Sequence, residues 1–246
     1  MSSNQGQTAT LLTLSEIFNG RRFSIPDYQR GYAWEDEQVM ALHKDIEHLF
    51  DSDSKYLHFT GTIVVTPNKR EDDLFDIIDG QQRLTTIVIL LCELIRDIGN
   101  KAEEYQLFVN RGGEGNHKRV FKLNSLIDPY FYDRVISNDA SSKKVEYMSQ
   151  KRIEASKKKS HQWISSLNKT PQEVISLITS KLGFILYLPQ NDSEAGMMFE
   201  VINNRGKQLS ELEKVKNYLI YFSIKENKQD IRDQVDREWG IILKNL

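Results

Sequence analysis

The sequence predicts an α+β fold: a small mixed sheet wrapped by a large helical complement. Three observations predict it. Short β-rich runs bounded by turn residues recur near residues 22, 60, 75 and 185. Apolar residues recur at helical spacing over much longer stretches between and after them. And the run from Leu84 to Ile98 is apolar almost all round, as a helix buried on every side must be.

The composition agrees. The 246 residues suffice for one large domain or two small ones, and 39% hydrophobic with 28% charged residues is ordinary for a soluble chain. The formal net charge of −2 supplies no global attraction for nucleic acid, so any such contact needs a local patch. The single cysteine, Cys92, sits in the apolar helix, excludes an internal disulfide framework and fits a reducing cytoplasm. No signal peptide or bilayer-spanning run is visible, so a cytoplasmic location without a membrane partner is expected. There is no internal repeat.

Taken in order, residues 1–9 are small and polar, and disorder is expected there. Thr13 with Glu16 forms a capping box for a short helix that stops near Gly20. Arg22 to Ile25 is a short strand ended by Pro26. Pro26-Asp27-Tyr28-Gln29-Arg30-Gly31-Tyr32-Ala33-Trp34 has neither helical nor strand period and is a loop. Two readings stay open for it. Its aromatics plug the core edge, or they recognise a base, with Gln29 for a polar edge and Arg30 for a phosphate.

Glu35, Asp36 and Glu37 open an amphipathic helix through Val39, Leu42, Ile46 and Phe50. Its His43 and His48 are five apart and do not share a face as a metal pair would. Phe59 to Thr66 and Leu74 to Ile78 form a hairpin that feeds the central helix, and Gly99-Asn100 ends that helix. The glycine-rich stretch from Asn110 to Asn116 contains no Walker or dinucleotide pattern and reads as a surface loop.

Val120 to Leu123 is a short strand and Ser125 to Ile136 a helix. Residues 141–168 are polar and lysine-rich, either a solvated helical insertion or a phosphate-backbone contact. Thr170, Pro171 and Glu173 start a further helix. Gly183 to Leu188 is a buried strand ended by Pro189. Helices follow over Glu194–Asn203, from Ser210 through Phe222, and over 228–246; Asn203-Asn204-Arg205-Gly206-Lys207 is a basic turn between two of them. With no stop signal before Leu246, the chain is expected to end inside an element, as a fragment or split subunit would.

Asp79-Gly80-Gln81-Gln82-Arg83, at the start of the central helix, carries the chemistry. Asp79 as N-cap with Gln82 three residues on would satisfy two orphan helix donors. Capping leaves Arg83 unexplained, because a cation in the first turn opposes the helix dipole by about 0.3–1 kcal/mol. Free N–H groups with an arginine and two glutamines suit an anion, above all a phosphate. Cap and phosphate site both stand on the residues alone.

D-G-Q-Q-R-L-T-T, preceded by I-P-x-Y-Q-R-x-Y-x-W and followed by F-x-x-I-N-x-R-G-x-x-L, resembles the N-terminal domain of GmrSD-type, modification-dependent (type IV) restriction proteins, itself similar to the ParB/sulfiredoxin-like fold. The three blocks span roughly residues 10–225 in the right order. The resemblance implies a sensor domain over 1–225, with 110–180 mainly a helical insertion, and a helical linker from 226 toward a nuclease domain absent from 1–246. It implies a magnesium-dependent nucleoside triphosphatase, GTP or UTP being the expected substrate. The catalytic candidates are Asp79, Gln81, Gln82 and Arg83; Gly80, Arg30, Asn203, Arg205 and Gly206 are implicated in nucleotide binding. Arg83 and Arg205 would meet phosphate charge, Gln81 or Gln82 would orient water, and Asp79 would cap the helix or meet magnesium. Tyr28, Gln29, Tyr32 and Trp34 are implicated in sensing modified DNA.

The implied partners are DNA, an HNH-type nuclease domain in the same or a separate chain, and a second copy of this chain. With only five histidines and no metal constellation, DNA cleavage by this chain alone is not expected. The competing reading is a non-catalytic module that recognises modified DNA or a nuclease partner. A weaker one is a ParB-like nuclease in its own right. They separate on turnover: an enzyme releases phosphate in an Arg83-dependent way, whereas a binding module keeps its DNA affinity without Arg83.

Overall fold

The computed structural model describes residues 10–50, 55–98, 107–111, 118–139 and 144–191, with 194, 234 and 238. It is α+β. Strands β1 (Leu11–Thr13), β2 (Arg22–Ser24), β3 (His58–Pro67), β4 (Leu74–Asp79), β7 (Phe121–Lys122) and β8 (Leu182–Tyr187) form one six-stranded mixed sheet in the order β1-β8-β3-β4-β2-β7, while β5 (Asn110–Arg111) and β6 (Lys118–Arg119) pair separately. The helices are α1 (Leu14–Phe18), α2 (Asp36–Phe50), α3 (Gln81–Ile98), α4 (Asp128–Phe131), α5 (Met148–Ser166) and α6 (Pro171–Lys181).

The expected strands near residues 22, 60, 75 and 185 and the short one over 120–123 all join the main sheet. β1 was not expected: Leu11-Leu12-Thr13 is too short to show alternation, and its partner is β8, with Leu11 opposite Ile185. The expected caps of α1 and α6 form, since Thr13 and Thr170 each accept the N–H of the glutamate three residues on. The helix expected over Ser125–Ile136 begins later, at Asp128, and its second half widens into a π-turn over Tyr132–Ile136, where Ser137 N–H reaches back to Tyr132 O at 2.8 Å. Lys157 Nζ and Arg96 Nη2 donate to the carbonyls of Arg134 and Val135 at that end.

The core lies around α3, whose residues from Leu84 to Ile95 are all buried. Ile63, Val65, Ile77 and Phe184 supply the sheet side and Ile153, Val174 and Ile178 the helical side. The polar stretch before residue 168 is a helix with one inward face: Ile153, Ser156, Ser160 and Trp163 of α5 are buried. Trp163 stacks on His43 of α2, with ring centroids 4.6 Å apart, and its indole N–H donates to Glu47 Oε1 at 2.6 Å. Burial holds the His43 pKa down at about 4, so the ring is neutral there. At the sheet's other end Arg22 is fully buried and paired with Glu71 and Asp73 of the turn between β3 and β4. The expected features at Gly99-Asn100 and over 195–233, with most of 234–246, lie outside the described residues.

Candidate functional site

The site forms where β4 hands the chain to α3. Asp79 closes β4, opposite Val64 of β3. Gly80 then turns the chain with φ +89°, which L side chains rarely adopt. It also lets the junction press on β3: a Cβ there would lie 3.0 Å from Thr62 O and 3.3 Å from Ile63 Cα. Gly80 O accepts the Leu84 N–H at 3.0 Å, so Gly80 occupies the cap position.

The capping box expected of Asp79 and Gln82 is therefore not formed. The helix starts one residue too late for it: Gly80 takes the cap position, and the Gln82 side chain leaves the helix for the backbone of Gly31 and Ala33. Among the described residues no side chain accepts from the first-turn amides of Gln81, Gln82 and Arg83, so the positive end of a long helix keeps its donors.

The two glutamines differ. Gln82 Oε1 accepts the Ala33 N–H at 2.6 Å and its Nε2 donates to Gly31 O at 3.1 Å, which ties the 26–34 loop to α3. Gln81 Nε2 donates to Gln29 Oε1 at 2.9 Å, and Gln29 Nε2 donates to Ile78 O at 2.9 Å. This chain of amides uses every acceptor but one: Gln81 Oε1 is buried with no partner. A buried carbonyl oxygen left bare costs about 1–3 kcal/mol, and a ligand or water that donates to it recovers that cost.

Arg83 is half-buried. Burial pulls its pKa down, opposed by the charges of Asp79 and of Asp45 on α2. No hydrogen-bond or ion-pair partner reaches it among the described residues. Its guanidinium instead fills the space above Gly61 of β3, where a Cβ would stand 2.4 Å from Nη1. The Asp79 carboxyl is pushed up by burial, against the Gly80 N–H and the charges of Arg83 and Arg30. The first-turn amides, Arg83 and Asp79, with the charge of Arg30 reaching Asp79, thus gather at the β4–α3 junction, an arrangement that suits an anion. The bare Gln81 Oε1 belongs to the side chain bonded to Gln29.

The other candidates divide. Arg30 is half-buried and its charge reaches Asp79. Gln29 and Tyr32 face inward, 4% and 3% exposed. The Tyr32 hydroxyl lies 2.7 Å from Thr86 Oγ1 and donates to Ser156 Oγ at 3.2 Å, joining loop, α3 and α5. Trp34 packs against the core and Tyr28 is half-buried. Asn203, Arg205 and Gly206 lie outside the described residues. Sequence reasoning missed Gly61, Asp45 and Asn124, which donates to Gln29 O at 3.3 Å. Only Gly61 left a signal, a glycine inside the β-rich run F-T-G-T-I-V-V.

Among the described residues, this is an α+β domain in which a helix N-terminus without a side-chain acceptor and an arginine without a hydrogen-bond partner meet at the end of β4. The family model described as GmrSD restriction endonuclease, N-terminal domain, matches residues 14–220, and the chain belongs to that family. The family places it among restriction proteins, with a role in defence. Among curated proteins none matches the chain. Among the described residues no helix is long and apolar enough to cross a membrane.

Proposed function

We propose that this domain binds and hydrolyses a nucleoside triphosphate, GTP or UTP, and acts as the sensor of a modification-dependent restriction protein that works on DNA with an HNH-type nuclease domain. The observation that carries the reading is Arg83: among the described residues its half-buried guanidinium has no hydrogen-bond or ion-pair partner, and the amides of its helix turn have no side-chain acceptor. Arg83 and those amides meet the phosphate charge, with Arg30 beside Asp79 as a second cation. Gln81, whose Oε1 is bare, orients the attacking water by accepting one of its hydrogens. Gln82 holds the loop rather than the water. Arg205 of the later basic turn is the candidate for closing over a second phosphate.

The donor set suits magnesium as an ion carried by the nucleotide. Among the described residues no three His, Cys, Asp or Glu side chains come together, but Asp79 and Gln81 Oε1 supply oxygens of the kind that complete a shell made of phosphates and waters. When bound, the ion neutralises phosphate charge. Phosphate release from GTP, UTP, ATP and CTP with magnesium, wild type beside Arg83→Ala, tests the reading. Turnover lost in a folded Arg83→Ala supports it. Equal turnover in both overturns the Arg83 assignment, and no turnover with any nucleotide leaves a binding module.

A further inference from the structure

Strand β3 carries a glycine where its ladder to β8 slips, between Phe59 and Gly61. Gly61 has φ +143°, a conformation that L side chains rarely adopt. The three atoms nearest to a Cβ built there are Nη1, Cζ and Nη2 of Arg83, at 2.4, 3.0 and 3.5 Å. The contrast with Gly80 is informative. A Cβ on Gly80 meets the backbone of Thr62 and Ile63, so that glycine serves chain packing. The three atoms nearest to a Cβ on Gly61 all belong to the tip of one flexible side chain. The absence of a side chain at 61 therefore serves Arg83.

The guanidinium needs such support. Among the described residues no carboxylate or carbonyl holds it by a hydrogen bond or close ion pair. Its position comes from shape, from the hollow that Gly61 leaves in the strand. We propose that Gly61 is a positioning residue of the nucleotide site: it seats Arg83 in the first turn of α3 by shape, so that an incoming phosphate meets a cation already in place. An arginine seated by an ion pair would have to give up that pair before binding. The consequence for nucleotide rests on the proposed function; the fit between the two residues does not.

The test is a double-mutant cycle over Gly61→Ala and Arg83→Ala, with Gly61→Ala/Arg83→Lys as the rescue variant. Binding of GTP and of UTP with magnesium is measured by calorimetry, and thermal unfolding is measured without nucleotide. Gly61→Ala is expected to fold and to weaken nucleotide binding roughly tenfold. In the Arg83→Ala background the same change is expected to alter binding no further. In the Gly61→Ala background, lysine at 83 is expected to bind better than arginine, because its thinner head clears the new methyl.

Equal losses with and without Arg83 overturn the proposal and leave Gly61 as a strand residue. If the wild type binds neither GTP nor UTP, the nucleotide reading fails, and thermal unfolding decides the fit alone. A smaller drop in Tm for Gly61→Ala in the Arg83→Ala background than in the wild type sustains it. Equal drops overturn it.

Discussion

Gln82 Oε1 accepts the backbone N–H of Ala33 at 2.6 Å, across a sequence separation of 49 residues. Its neighbour Gln81, one step along the same helix, has a bare oxygen. Two adjacent identical side chains thus do different work, and mutation separates them. Gln82→Ala frees the loop and leaves Ala33 N–H and Gly31 O without their partner, so it is expected to lower stability by about 1–3 kcal/mol in urea unfolding. Gln81→Ala is expected to leave nucleotide affinity within a few-fold and to cut turnover about 100-fold, as loss of a water-positioning group does. The opposite pattern would exchange their roles.

Asp79 offers a test with a definite sign. Its carboxyl is raised above the ordinary value of 3.8, chiefly by burial, so the neutral form is favoured by folding. That contribution is full below the unfolded pKa and is lost as pH rises through the folded one, which leaves the ionised Asp79 a burden at neutral pH. Asp79→Asn is therefore expected to raise Tm at pH 7 while phosphate release falls. A lower Tm at pH 7 would show that its attraction to Arg83 and Arg30 outweighs its burial.

His43 runs the other way in pH. Its pKa falls from 6.5 to about 4, so protonation favours the unfolded chain. Stability is full above pH 6.5 and drains as pH falls toward 4, by roughly 3 kcal/mol at most. Chemical denaturation from pH 7.5 to 4 should show this slope, and His43→Phe, which keeps the stack on Trp163, should flatten it.

Gly80→Ala is expected to cost at least about 2 kcal/mol, from the left-handed backbone and from crowding against Thr62 O. Urea unfolding measures it. A cost below about 0.5 kcal/mol would mean that the junction of β4 and α3 relaxes freely.

The hairpin, α2, α3 and α6 were legible because each carries its signal within its own residues: a period, a cap, a turn. β1 was not, because a strand of Leu-Leu-Thr is defined by Ile185, far away in sequence. At the site, Arg83 declared itself by sitting at the wrong end of a helix dipole. The division of labour between Gln81 and Gln82 was hidden, since it depends on where Ala33 and Gln29 lie in space. The two readings of the aromatic loop stayed open for the same reason: nothing around Tyr32 announces that Thr86 and Ser156 will meet its hydroxyl. Asp79 looked like a cap because spacing alone does not show that Gly80 delays the helix by one residue.

The place of β8 in the sheet bears on how the chain is made. The last strand of the described chain sits second in the sheet, between β1 and β3. During synthesis, β3 is complete at Pro67 but waits for Leu182 to begin covering its open side. At ribosomal speeds that gap lasts roughly 6–23 s. Through it the nascent chain shows a bare strand edge, including Ile63 and Val64, to any other chain nearby. Co-expressed holding chaperones are therefore expected to raise the yield of the chain, and shortened versions that stop before residue 182 are expected to aggregate rather than to fold into a smaller domain.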